Sequence, residues 1–169
     1  MDLVARRLNN EDASTLLSLR REALQAEPLA FEASLIDGVT LTVDSVTQIL
    51  DDRDLQAIFG AFNRTDLVGM LGLFRMNRIK TRHKAMIWGM YVKPNERNRG
   101  AGGALLTAAI EHARGWGVDQ VQLSVTDAAP AARHLYESHG FTIWGHERRA
   151  LCWNEQFVDE YHLALYFEK

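Results

Sequence analysis

The stretch Val92-Lys93-Pro94-Asn95-Glu96-Arg97-Asn98-Arg99-Gly100-Ala101-Gly102-Gly103-Ala104-Leu105-Leu106 decides how this chain is read. It leaves an apolar strand, crosses a basic turn and enters a helix opened by glycines at 100, 102 and 103. The first turn of a helix leaves N–H groups unpaired at the positive end of the dipole. Glycines there carry no β-carbons to hold an anion such as a diphosphate away from those N–H groups. Arg97 and Arg99 add fixed positive charge and forked donors. Two common phosphate loops are excluded: no Gly-Lys-Ser/Thr triplet follows, and a dinucleotide fingerprint fails at Leu105 and in the length of the turn.

Outward from this loop, Lys84 to Val92 reads as a long apolar strand, and the helix from Gly100 is expected to end near Trp116-Gly117. Val118 to Val125 is the next strand, giving a strand–helix–strand crossover that pairs parallel strands. Ala131 to Ser138 reads as a helix, Phe141 to about His146 as a strand, and Phe157 to Phe167 as the last strand. Upstream, Leu3–Leu8 is a strand, and Asn9-Asn10 caps a helix whose apolar face is Leu16, Leu19, Ala23 and Leu24, ending before Pro28. A loop with Gly38 leads to a helix from Thr42 to about Asp52, and Asn63-Arg64-Thr65-Asp66 joins strands Leu55–Phe62 and Leu67–Phe74 as a hairpin.

The 169 residues, 47% hydrophobic and 24% charged, suit a single domain over 1–169 with a substantial core. A net charge of −3 gives no global footprint for nucleic acid, and no apolar run is long enough to span a membrane. The lone Cys152 forms no internal disulfide, and Met1 to Arg7 lacks the pattern of a secretory leader, so the expected setting is cytoplasmic.

Arg97-x-x-Gly100-x-Gly102 resembles the Q/R-x-x-G-x-G/A motif of the GNAT superfamily of acyl-CoA-dependent N-acyltransferases. Met90-Tyr91-Val92-Lys93-Pro94 is similar to the family's fourth strand, and Ala132 to Phe141 to its A-x-x-LYE-x-x-GF segment. The specific motifs lie within residues 84–141, while the order of elements fits the whole chain. The resemblance implies an α/β (α+β) fold: a mixed, mostly antiparallel seven-stranded sheet flanked by about four helices, with the fourth and fifth strands splaying apart after about Met90. It also implies acetyl-CoA as co-substrate; with one cysteine and no HExxH in the chain, no metal is expected. The diphosphate would rest on backbone from Asn98 to Gly103, including Arg99, Gly100, Ala101 and Gly102. The pantetheine arm would pair with main chain at Met90, Tyr91 and Val92, much as an added strand would.

Acetyl transfer to an amine needs a base, a polarised carbonyl and an acid for the departing thiolate. Tyr136 matches the family tyrosine that protonates the thiolate, and a phenol keeps its proton at neutral pH. Two departures stand out. Ala129 occupies the place of the asparagine seven residues before that tyrosine, and Lys84 to Lys93 has no acid to act as base. Glu32, Asp127, Glu147 and Asp159 are therefore base candidates, and the family's acceptor site favours Glu32 and Glu147, with Phe31, Trp144 and Trp153 as candidate walls. His83 and His146 are further proton-transfer candidates.

Histidine spacing offers no i, i+4 pair (His134 and His139 are five apart), which argues against zinc, and Cys152 lacks a nucleophile's base motif. The acceptor expected is a primary amine of a small molecule or peptide, and the resemblance allows a homodimer. The rival expectation is a non-catalytic acyl-CoA-binding or sensing module.

Overall fold

The computed structural model describes residues 3–37 and 42–168, so the expected loop at Gly38 lies outside the described residues. The strands are β1 (Leu3–Arg7), β2 (Gln56–Asn63), β3 (Asp66–Arg75), β4 (Lys84–Val92), β5 (Gln120–Thr126), β6 (Thr142–Trp153) and β7 (Gln156–Tyr166). The helices are α1 (Ala13–Ala26), α2 (Val43–Asp51), α3 (Ala101–Gly115) and α4 (Pro130–Ser138). The sheet order is β1-β2-β3-β4-β5-β7-β6, with β4 parallel to β5 and every other neighbour antiparallel.

Local chemistry sets the element ends. Asn9 and Asp12 form a reciprocal capping box on a one-turn 3-10 helix that runs into α1. Thr42 and Ser45 do the same for α2. Gly117, at φ 68°, follows the end of α3 as expected of a helix stop.

Two apolar layers cover the sheet. On one face α3 buries Ala101, Leu105, Leu106, Ala109 and Ala113 against residues such as Leu71, Leu73, Ala85, Val121 and Leu123. On the other, α1 and α2 bury Leu16, Leu17, Ala23, Val46 and Leu50 against Ile58, Leu67, Met70 and Tyr91. Each fully buried Leu contributes about 1.5–3 kcal/mol of transfer free energy, so these layers fix where the loops emerge.

Two strands differ from the sequence reading. The last hairpin is longer than expected, because β6 continues through Glu147–Trp153 and turns at Asn154-Glu155, both at positive φ. A register break between Glu147 and Leu151, with Arg149 at φ 55°, carries the strand past a run of charges. β4 also parts from β5 earlier than expected: pairing ends at Met86 opposite Gln122, four residues before Met90.

Candidate active site

Asn98 (φ 60°) and Gly100 (φ 89°) bracket Arg99, which is not at positive φ, and such alternation turns successive N–H groups toward one side. The first helical bond of α3 runs from Ala104 N–H to Gly100 O at 3.0 Å, so the N–H groups of Ala101, Gly102 and Gly103 have no carbonyl within the helix. Gly102 is also closely packed: a β-carbon there would lie 2.9 Å from Leu135 and 3.1 Å from the Met90 methyl, so both side-chain ends would have to shift. At Gly103 the nearest contact would be an ordinary 3.7 Å to His139.

The two arginines are tied down. Arg97 donates through Nε to Val92 O (3.0 Å) and through Nη2 to Glu27 (2.8 Å), so it braces the strand exit against the end of α1. Arg99 reaches Glu96 at 3.5 Å and stays half exposed beside the helix opening.

A bulge shapes the strand before this loop. Met70 pairs with Tyr91 and Gly72 with Trp88, so Leu71 faces both Gly89 and Met90, and Gly89 takes φ 63°. Lys93 N–H bonds Val68 O, which by strand alternation turns Tyr91 toward β3 and Met90 and Val92 toward the gap where β5 has departed. Of the three strand residues expected to meet the pantetheine arm, Tyr91 thus has its main chain engaged with β3. Its phenol donates to Glu22 (3.0 Å), and burial together with that bond pushes its pKa up to about 12.

Tyr136, on α4, is buried, packs edge-on against Phe141 and donates its hydroxyl hydrogen to Met90 Sδ at 3.2 Å. Burial raises its pKa above the ordinary value, so the phenol holds its proton. The open N-terminus of α3, the edge of β4 that β5 leaves beyond Met86, and the Tyr136 hydroxyl against Met90 all belong to the region where the two strands part.

The profile of the Acetyltransferase (GNAT) family matches residues 21–141 of this chain. The protein belongs to that family. A GNAT-family acetyltransferase from Streptococcus pneumoniae shares the fold with a TM-score of 0.87 at 28% identity, over 99% of this chain and 100% of that one. The yncA protein of Salmonella typhimurium, solved with its cofactor acetyl-CoA, superposes with a TM-score of 0.87 over 100% and 96% of the chains, and at 16% identity it speaks for the fold alone. Among curated relatives, the L-amino acid N-acetyltransferase AaaT of Escherichia coli K12 is 35% identical over 101 residues, 59% of this chain and 61% of that protein. The mycothiol acetyltransferase of Thermobispora bispora is 53% identical over 53 residues, 31% of this chain. The match to these relatives spans 18% of the mycothiol enzyme and 61% of the amino acid enzyme.

Across the cleft, the GNAT sheet presents acids that the sequence order scatters. Glu147 and Glu160 face each other in the β6–β7 register, and His162 lies 3.4 Å from Glu147 and 2.8 Å from Ser124 of β5. Ligand atoms of Glu147, Glu160 and His162 all lie within 4.8 Å of one another, a cluster that histidine spacing does not reveal. Burial pushes the Glu160 carboxyl up; His162 opposes the rise, and Glu147 and Glu32 add to it. Glu32 and Glu147 therefore converge on Glu160, a residue that sequence reasoning did not single out.

The other base candidates have structural work. Asp159 takes the Arg149 N–H and the His146 ring, which hold its carboxyl low, and Asp127 accepts the Asp159 N–H at 3.2 Å. His146 is also stacked on Tyr161. Phe31 lies over Arg20 of α1, with 5.4 Å from guanidinium carbon to ring centroid. Trp144 is exposed over His162, and Trp153 closes the β6–β7 hairpin.

Proposed function

We propose that the protein transfers an acetyl group from acetyl-CoA directly to a primary amine of a small molecule. The observation that carries this reading is the cleft itself: the unpaired edge of β4 leads from the open N-terminus of α3 to the Tyr136 hydroxyl. Acetyl-CoA would supply the acetyl group and leave as the free thiol.

An alkyl amine is mostly protonated at neutral pH, since its pKa is about 10. Glu160, half-buried and with a raised carboxyl, accepts the ammonium proton directly or through water. The amine nitrogen then bonds to the thioester carbonyl carbon and gives up its second proton to water as the carbon–sulfur bond breaks, and Glu160 returns its proton to solvent. Tyr136 gives its proton to the departing sulfur and is reprotonated from solvent. Main-chain groups of Met90 and the Val92 N–H, on the gap side, hold and polarise the acyl arm, while Val92 O is engaged by Arg97 Nε. The proposed setting is the cytoplasm, where the exposed Cys152 stays reduced. Among the described residues no helix is long and apolar enough to cross a membrane.

The names of the relatives differ in acceptor, mycothiol in one and L-amino acids in another, so the acceptor is left to the pocket. The non-catalytic alternative draws on Ala129, at the cap of α4, and on the acid-free β4. Tyr136→Phe separates the two. Catalysis requires amine-stimulated thiol release that falls about 10²-fold or more in the variant while acetyl-CoA affinity holds. A pure binding module shows no amine-stimulated release in either protein.

A further inference from the structure

Ser124 is exposed although it lies on β5, an inner strand of the sheet. The layer of α1 and α2 rests on β2, β3 and β4, through Ile58, Leu67, Met70 and Tyr91. Val121, Leu123 and Val125 of β5 belong to the α3 layer, so Ser124 faces the opposite, uncovered side. Its main chain borders the gap as well. Asp119 O accepts from Phe167 N–H and Asp127 N–H donates to Asp159 O, both at 2.9 Å, so the odd-numbered residues of β5 pair with β7. The N–H and C=O of Ser124 therefore turn toward β4, where pairing ends two residues earlier, at Gln122 opposite Met86.

A line of polar groups runs from Ser124 across that face to the edge strand β6. Ser124 Oγ is 2.8 Å from His162 Nδ1 on β7, and His162 Nε2 lies 3.4 Å from Glu147 Oε2 on β6. An ionised carboxylate only accepts, so the ring hydrogen belongs on Nε2, toward Glu147, and Nδ1 is left to accept from the Ser124 hydroxyl. Trp144 lies over the imidazole at 5.3 Å between centroids, and a β-carbon on Gly145 would come within 3.3 Å of the ring, so it is held in place. Glu160 keeps within 4.8 Å of both His162 and Glu147. The His162 side chain is 24% exposed and that of Glu147 58%, which puts the outer end of the line in solvent.

The proposed reaction has a use for such a line. An ammonium loses one proton before it attacks and a second as the amide forms, and a carboxylate that has taken the first cannot take the other. We infer that the second proton leaves by way of Ser124, His162 and Glu147. Water at the amine passes it to Ser124 Oγ, which gives its own hydrogen to His162 Nδ1. The imidazolium then loses a proton to Glu147 and so to solvent, and the ring is neutral again. Glu147, as a nearby carboxylate, favours the charged ring while it lasts. His162 acts through Ser124 and water, so it is a positioning residue for the proton and does not touch the acceptor. This rests on the acetyl-transfer reading and completes its proton balance.

The test is thiol release from acetyl-CoA by the native protein, His162→Ala and Ser124→Ala, with 2-phenylethylamine, spermidine, glycylglycine and L-methionine as acceptors. Calorimetric titration with acetyl-CoA runs in parallel. His162→Ala is expected to lose about 10²-fold in kcat while KM and acetyl-CoA affinity hold. Free imidazole should restore much of that kcat, which it would not do for a merely structural histidine. Ser124→Ala should lose less, because water takes the place of the hydroxyl. Native kcat in His162→Ala, or a loss that imidazole leaves uncorrected, would overturn the relay while acetyl transfer stands. If His162→Ala does not fold, Ser124→Ala and nitrogen NMR of the native His162 ring decide. An Nε2–H ring together with a lowered kcat in Ser124→Ala upholds the relay, and an Nδ1–H ring or an unchanged kcat overturns it. If no acceptor releases thiol from the native protein, acetyl transfer itself fails, and the relay with it.

Discussion

Arg20→Met is expected to make the protein more stable. In the native chain two guanidinium nitrogens are buried without partners among the described residues, and each such donor costs about 1–3 kcal/mol. The contacts with Phe31 and Trp88 return part of this, about 0.5–1 kcal/mol each. Methionine would keep the stem buried between Leu16 and Trp88 and gain sulfur–aromatic contact of about 0.3–1.5 kcal/mol. Because Arg20 as a whole is only half-buried, we expect a net gain of about 1–3 kcal/mol. For a domain of this size that raises Tm by roughly 2–4 °C per kcal/mol. The assay is urea unfolding of both proteins, with a thermal scan as a check. A loss of more than about 1 kcal/mol in Arg20→Met would refute the reasoning, since it would mean that Arg20 has a partner in the folded chain.

Three further outcomes follow from the same geometry. Gly102→Val should cost about 1–3 kcal/mol by overpacking, because its branches meet Leu135 and Met90; an unchanged urea midpoint would contradict this. Turnover should fall as pH drops through the titration of Glu160, which lies above the ordinary carboxylate value, and Glu160→Gln should remove that acid limb. The raised pKa means that the folded state favours the neutral acid, so stability is lost as pH rises through it, and Glu160→Gln should be at least as stable as the native protein at pH 7. Asp12→Ala should cost about 1–2 kcal/mol, because Asp12 caps Asn9 N–H (2.9 Å) and takes both arms of Arg6 (2.8 Å). These bonds hold the Asp12 carboxyl low, so its contribution stands above the ordinary carboxylate pKa and disappears as pH falls through the folded value.

The glycine-opened helix, the hairpin at Arg64-Thr65 and the β4–α3–β5 crossover were legible because each is written in local chemistry: positive-φ residues, caps and apolar period. The bulge at Gly89 was not, since Lys84 to Val92 reads as unbroken apolar strand and a single glycine there does not announce a second residue opposite Leu71. That bulge turns Met90 toward the gap and brings Tyr136 to it. The acidic cluster was hidden for a different reason. Glu147 and Glu160 stand 13 positions apart and meet only through the register of β6 on β7, and the charges of Glu147 to Arg149 masked the strand that carries them. Arg20 left a signal, a cation at an inward position between Leu16 and Leu24, which a helical projection shows and a search for apolar residues passes over.

Titration calorimetry of the purified protein with acetyl-CoA, with ATP as the control, bears most directly on the cleft between β4 and β5. The expected result is saturable, one-to-one binding of acetyl-CoA and none of ATP, because the unpaired edge of β4 recognises the amide-bearing arm that ATP lacks. Failure to bind acetyl-CoA, or equal binding of ATP, would contradict the account at its centre.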